Sequence, residues 1–164
     1  MTARISDIRA VVGQVPDPEI PVLTVADLGM LRDVRVDASG CVRVTITPTY
    51  SGCPAMDTIE RDITEACARQ GWRAVTVRRV LSPAWTTDWM TDEGKQKLRE
   101  FGIAPPGGRH LPGAGRPVPV SLSVRCPRCG SPDTRETSRF GSTACKALYV
   151  CSSCREPFDY FKAL

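Results

Sequence analysis

The chain has 164 residues, 41% of them hydrophobic and 24% charged, with a formal net charge of +4 and eight cysteines. That length holds one ordinary domain plus a small module, and no apolar run is long enough to span a bilayer, so a membrane protein is not expected. The first residues, Met1-Thr2-Ala3-Arg4-Ile5-Ser6-Asp7, carry an early acid and no apolar stretch, which argues against a signal peptide and for a cytoplasmic location.

In chain order, Thr2 is expected to cap a helix that buries Ile5, Ile8, Val11 and Val12. Pro16, Pro18 and Pro21 then open the chain in a segment that also carries Asp17 and Glu19. Leu31–Val36 and Val42–Thr47 alternate apolar and polar residues around Asp37-Ala38-Ser39-Gly40, the pattern of a β-hairpin. A helix is predicted from Pro54 to about Arg69, with Ile59, Ile63 and Ala66/Cys67 on one face. Gly71 ends it, and Val75–Leu81 reads as a third strand. A short helix over about Asp92–Phe101 starts behind Thr91 with two acids in its first turn. The order α-β-β-α-β-α predicts an α+β domain, with a small mixed sheet and helices, over residues 1–101. Ten of the eighteen residues of Gly102–Pro119 are Gly or Pro, so 102–119 reads as a linker through which neither helix nor sheet propagates. Residues 120–164 form the second module, expected to be β-rich.

Eight cysteines in a reducing compartment point to metal ligands or reactive thiols, not disulfides. Cys126-Pro127-Arg128-Cys129 and Cys151-Ser152-Ser153-Cys154 are two Cys-x-x-Cys pairs, each suited to a tight knuckle with both sulfurs on one ion. Together Cys126, Cys129, Cys151 and Cys154 supply a closed tetrahedral shell with no open position for substrate, the pattern of a structural zinc ribbon. Rubredoxin-type iron uses the same ligands and is the competing reading. So short a module buries little core, so the metal is expected to supply most of its folding free energy. Cys145 lies outside both knuckles and reads either as a buried ribbon cysteine or as a thiol activated by Lys146. Residues 1–119 hold fifteen basic and fourteen acidic side chains, and residues 120–164 hold seven and four. Four thiolates on one Zn²⁺ would add −2 to the second module, so neither part offers the basic surface that nucleic acid requires.

Cys53 leaves a predicted strand and enters a predicted helix. Pro54 suits the first helical position, which puts Cys53 at or beside the N-cap, where free N–H groups and the helix dipole favour a thiolate. Thr49, Tyr50 and Ser51 can add hydrogen bonds. The plainer reading is a cysteine that merely packs, as Cys41 and Cys67 are expected to do. Asp17, Glu19 and Asp27 can reach the same pocket as hard ligands or bases, or simply cap turns in a Pro-rich loop. The single histidine, His110, sits in the linker, so no Ser/His/Asp set exists, and no general base for Cys53 can be identified. Trp85 and Trp89 read as core or as a partner-docking surface.

At these residues the chain resembles known families. Asp17-Pro18-Glu19-Ile20-Pro21, Asp27-Leu28-Gly29 and Thr49-x-x-x-Cys53-Pro54 are similar to the domain of SufT-like iron–sulfur assembly proteins. A fuller resemblance, to the PaaD family of accessory subunits of the bacterial ring-1,2-phenylacetyl-CoA epoxidase system, rests on three segments. They are Pro48–Ala55, Trp85-Thr86-Thr87-Asp88-Trp89, and Phe140–Lys146 running into Cys151-x-x-Cys154-x-Glu156-Pro157-Phe158. The resemblance implies a maturation role in phenylacetate degradation, with the oxygenase and reductase subunits as partners and no turnover of its own. It implies a transient iron or iron–sulfur site at Cys53 with Asp17, Glu19 and Thr49, which Cys145 can join, beside a structural zinc. The other reading is a docking or structural subunit without metal transfer. A homodimer, in which a thiol from each protomer completes a site, stays open.

Overall fold

A computed structural model describes residues 4–107 and 123–163. Thr2, His110 and residues 108–119 of the expected linker lie outside the described residues. The chain divides into two compact units, one up to Gly94 and one from Lys95 to Ala163. As expected, the first is α+β with a small mixed sheet and the second is a β-rich ribbon.

In the first unit, helix α1 spans Ile5–Gly13 and buries Ile8 and Val12 completely. Ile5, expected in the core, opens the helix and is 47% exposed. Strands β1 (Leu31–Val36) and β2 (Val42–Ile46) pair antiparallel. The turn between them is set by Asp37, whose carboxylate accepts from the Ser39 and Cys41 N–H groups, and by Gly40 at φ +82°. Helix α2 (Met56–Arg69) buries Met56, Ile59, Ile63, Ala66 and Cys67, then returns the chain to β3 (Val75–Arg79). β3 lies parallel to β2, so β2-α2-β3 is a βαβ crossover beside a hairpin. β3 ends two residues before the expected Leu81, which is 60% exposed.

The segment between α1 and β1 is folded on its own acids. Asp17 accepts from the Glu19 and Ile20 N–H groups at 2.7 and 2.8 Å, and Asp27 from the N–H and hydroxyl of Thr24. Asp27 also ties in Thr91, which donates its N–H to the Asp27 carbonyl and caps helix α3 (Asp92–Glu100) by accepting from the Gly94 N–H. Trp85 is 5% exposed and its indole N–H donates to the Leu28 carbonyl at 2.8 Å, which makes it core. Trp89 is half-buried under the Arg32 guanidinium, 3.8 Å from its ring. Gly29, at φ +65°, leaves no room for a side chain: an added Cβ would run into the Trp89 carbonyl oxygen.

The second unit takes in the rest of α3 and a four-stranded sheet in the order β4-β7-β6-β5. Its strands are β4 (Ile103–Ala104), β5 (Thr134–Ser138), β6 (Lys146–Cys151) and β7 (Pro157–Phe161). β4 falls inside the expected linker. Ile103 and Ala104 are apolar, have N–H groups to donate, and lie between Gly102 at φ +87° and Pro105, so two residues pair with Asp159 and Tyr160 of β7 before proline stops the ladder. Ala104, Cys126, Cys151 and Phe158 form the core on one face, with Tyr149 and Tyr160 against it.

Candidate metal centre and thiol site

The two knuckles close on each other as their spacing predicts. Each is a turn in which the residue after the second cysteine is left-handed and donates its N–H back to the carbonyl of the first. Gly130 (φ +74°) bonds to Cys126, and Arg155 (φ +63°) to Cys151, both at 2.9 Å. The sulfurs of Cys126, Cys129, Cys151 and Cys154 all lie within 4.8 Å of one another, with Cys126–Cys154 at 3.8 Å and Cys129–Cys151 at 3.6 Å. A disulfide needs about 2.05 Å. Four ligands at about 2.3 Å from a tetrahedral Zn²⁺ would stand about 3.8 Å apart, so this donor set fits such an ion. The thiols differ in ionisation. The Cys154 N–H, despite burial, helps pull Cys151 down to about 6. The Glu156 N–H favours the Cys154 thiolate, but burial and the three neighbouring sulfurs together push that thiol up to about 12.

Cys145 is not part of this group among the described residues. It is 5% exposed, and its sulfur lies 3.0 Å from the Thr143 hydroxyl. The neighbouring Lys146 has a buried side chain, and its ammonium pairs with Asp159 at 3.1 Å.

Cys53 sits in the loop after β2, at the edge where the carboxyl ends of β2 and β3 meet the start of α2, the common place for a site in parallel βαβ units. The local geometry departs from expectation. Pro54 and Ala55 form a turn, with the Met56 N–H bonded to the Cys53 carbonyl, and α2 begins at Met56 with Ala55 as its N-cap. Cys53 therefore precedes the cap by two residues, and its thiol is raised above its ordinary value where a lowered one was expected. Burial is the main cause, with repulsion from Glu19 and then Asp17 adding to it. The Ala55 N–H and the Tyr50 side chain oppose the rise without reversing it.

Asp17 and Glu19 are thus brought close enough to act on Cys53. Asp27 is committed to Thr24 and Thr91. Thr49 is half-buried in the same loop, and no hydrogen bond joins it to Cys53. Tyr50, which sequence reasoning counted only among several hydroxyls, is the residue whose side chain bonds to the thiol. Cys67 is buried in the core, and Cys41 is half-buried at the start of β2. A groove of about 630 Å³, bordered by Val11 of α1, Val15 just after it, and Ala66 and Arg69 of α2, includes neither Cys53 nor Asp17 and Glu19. No helix among the described residues is long and apolar enough to cross a membrane.

Fold and site together define a two-module protein: a small α+β domain whose Cys53 thiol feels the charges of Glu19 and Asp17, and a four-cysteine ribbon. Residues 5–78 match the family described as "Iron-sulfur cluster assembly protein" and residues 116–162 the family described as "PaaD zinc beta ribbon domain". Over 98% of its length the chain is 52% identical to an Escherichia coli (strain K12) protein provisionally named as one of the 1,2-phenylacetyl-CoA epoxidase subunits, covering 94% of that protein. The chain belongs to this family, PaaD. Over 56% of its length it is also 39% identical to an Fe-S protein maturation auxiliary factor of Porphyromonas gingivalis (strain ATCC BAA-308 / W83), covering 88% of that protein. A crystal structure of a domain of unknown function from Bacillus anthracis superposes with a TM-score of 0.53 at 26% identity, over 57% of this chain and 90% of that one.

Proposed function

We propose that the chain is a maturation factor for the phenylacetyl-CoA epoxidase system, taking up iron or an iron–sulfur cluster at Cys53 and passing it to the reductase or oxygenase subunit. The observation that carries this reading is a half-buried thiol in a loop at the carboxyl end of the parallel β2–β3 pair, within electrostatic reach of Glu19 and Asp17. Two carboxylates beside a thiol disfavour the thiolate and attract a cation, so the site is built to exchange a proton for a metal ion. A soft sulfur donor with hard carboxylates within electrostatic reach suits iron, and a position at the edge of the β2–β3 pair suits release. Thr49, half-buried in the same loop as Cys53, completes the proposed site. The relatedness to an Fe-S maturation factor over the same domain supports the assignment.

Residues 1–101 act as the assembly domain, and the ribbon takes in β4 together with residues 120–164. Cys126, Cys129, Cys151 and Cys154 hold zinc, whose part is structural because four protein ligands leave no position for a substrate. Co-expression tests the reading. The epoxidase and reductase subunits are produced with this protein, without it, and with Cys53→Ser, then assayed for iron, acid-labile sulfide and ring epoxidation. Loss of iron or sulfide from the client in both altered cases is the expected result. Full loading in all three would leave a docking role without metal transfer.

A further inference from the structure

The hairpin end between β5 and β6 presents an aromatic side chain that the fold does not need. Phe140 is 68% exposed, the highest value among the large exposed hydrophobic residues of the described chain. Its backbone is nonetheless held firmly. The Phe140 N–H donates to the Ser138 hydroxyl at 3.2 Å, that hydroxyl donates to the Phe140 carbonyl at 2.8 Å, and the next N–H, of Gly141, donates to the Lys146 carbonyl at 2.8 Å. Lys162 reaches over from the end of β7, donates to the Arg139 carbonyl at 3.1 Å and places its ammonium 4.7 Å from the Phe140 ring. Leu148, 37% exposed, pairs with Ser138 across the β5–β6 ladder and so lies beside this turn.

A freely solvated phenylalanine on a loose loop would carry no information. Here a turn fixed by three hydrogen bonds and a cation holds the ring in water, so little conformational entropy remains to be lost when a partner covers it. The charges say which kind of partner. Arg139 and Lys162 make no ion pair among the described residues, whereas Asp159, opposite Leu148 on the β6–β7 ladder, is paired with Lys146. The patch is therefore apolar at its centre and uncompensated positive at its rim. Its complement is an apolar pocket bordered by carboxylates.

We propose that the Phe140 turn, with Leu148, Arg139 and Lys162, is the docking surface for the client protein, and that the client offers an apolar pocket with an acidic rim. The proposal rests on the maturation role, and it assigns recognition to the ribbon, apart from the thiol site in the other unit.

The test uses the full chain, with the purified oxygenase and reductase subunits, measuring complex formation by calorimetry and client iron loading in parallel. Phe140→Ala is expected to weaken binding to one of the two about tenfold or more, the usual effect of truncating an aromatic anchor. Lys162→Glu should weaken it further at low salt, and binding should fall as salt rises. Ribbon integrity is checked by the metal content of the variants, which should match the parent, because neither residue touches the four sulfurs. Binding by Phe140→Ala equal to the parent overturns the proposal, as does failure of the parent to bind either client. Self-association that Phe140→Ala abolishes also overturns it, by making a second copy the occupant. The two readings fail separately. Cys53→Ser that binds but does not load supports both, whereas Cys53→Ser that loads fully while Phe140→Ala fails to bind retains the docking surface and removes the thiol site.

Discussion

The Cys53 thiol meets burial and two carboxylates, all opposing ionisation, against an N–H and a tyrosine side chain that favour it. With its ionisation pushed upward, the group is a protonated thiol at neutral pH, and its thiolate fraction grows as pH rises towards and past the ordinary cysteine value. Alkylation of Cys53 by iodoacetamide, followed by mass spectrometry at that residue, should accordingly be slow at pH 7 and accelerate with rising pH. Glu19→Gln removes the larger of the two repelling charges, so its thiol ionises at lower pH and alkylation at pH 8 should be faster than in the parent. An equal rate would mean that the Glu19 charge does not reach the sulfur. The same sign governs metal uptake, which displaces a proton and should strengthen with pH. That Asp17 and Glu19 can reach Cys53 was legible in the sequence, but not that burial and their charges raise its thiol. Asp17 and Glu19 lie more than thirty positions before Cys53 in the sequence, and only the folding of the proline-rich segment brings them within electrostatic reach.

Among the elements, the short crossing between Gly29 and Trp89 shows how tightly the loop after α1 is fixed. A methyl group at Gly29 meets the Trp89 carbonyl oxygen, and the left-handed backbone adds its own cost, so Gly29→Ala should destabilise the first unit by about 2 kcal/mol or more. Gly40, also at positive φ but with open space around it, separates the two effects. Gly40→Ala should cost only about 1 kcal/mol. Urea denaturation of both variants measures the difference, and equal midpoints would show that the loop yields to the clash. Helix α2 and the β1–β2 hairpin were legible because their apolar periodicity and turn residues are local signals. The start of α2 was not. Pro54 is compatible with a first helical residue, but the chain spends Pro54 and Ala55 on a turn, and this moves Cys53 away from the helix dipole on which a lowered thiol had been expected. Strand β4 was missed for a related reason: Gly102 and the two prolines after Ala104 mask two residues whose pairing partner lies more than fifty positions later.

For the whole molecule, the two units rest on different sources of stability. The first has a core of aliphatic side chains from both helices and the sheet, whereas the described ribbon buries fewer apolar side chains, and in its cluster of Ala104, Cys126, Cys151 and Phe158 two of the four are cysteines of the metal group. Treatment with a strong chelator should therefore release the amide protection of β5, β6 and β7 while α2 and β1–β3 keep theirs, as hydrogen exchange would show. Retained protection in the ribbon would mean that the sheet folds without its ion. The Cys-x-x-Cys spacing made this module legible from sequence, because two knuckles of fixed geometry need only meet. The exposed Phe140 had no such signal, since its meaning lies in the contrast between a pinned backbone and an uncovered ring.

The ribbon is not continuous in the chain. Its sheet begins with β4, upstream of residues 108–122, so the polypeptide contributes one edge of the sheet, passes through that stretch, and only then supplies the other three strands. A fragment trimmed to residues 120–164 would carry all four cysteines and still leave the outer N–H and C=O groups of β7 at Asp159 and Tyr160 without their neighbour. Such a fragment would present an open edge to any extended chain, including its own copies. The boundary that best preserves the ribbon therefore lies before Ile103, not at the stretch rich in glycine and proline.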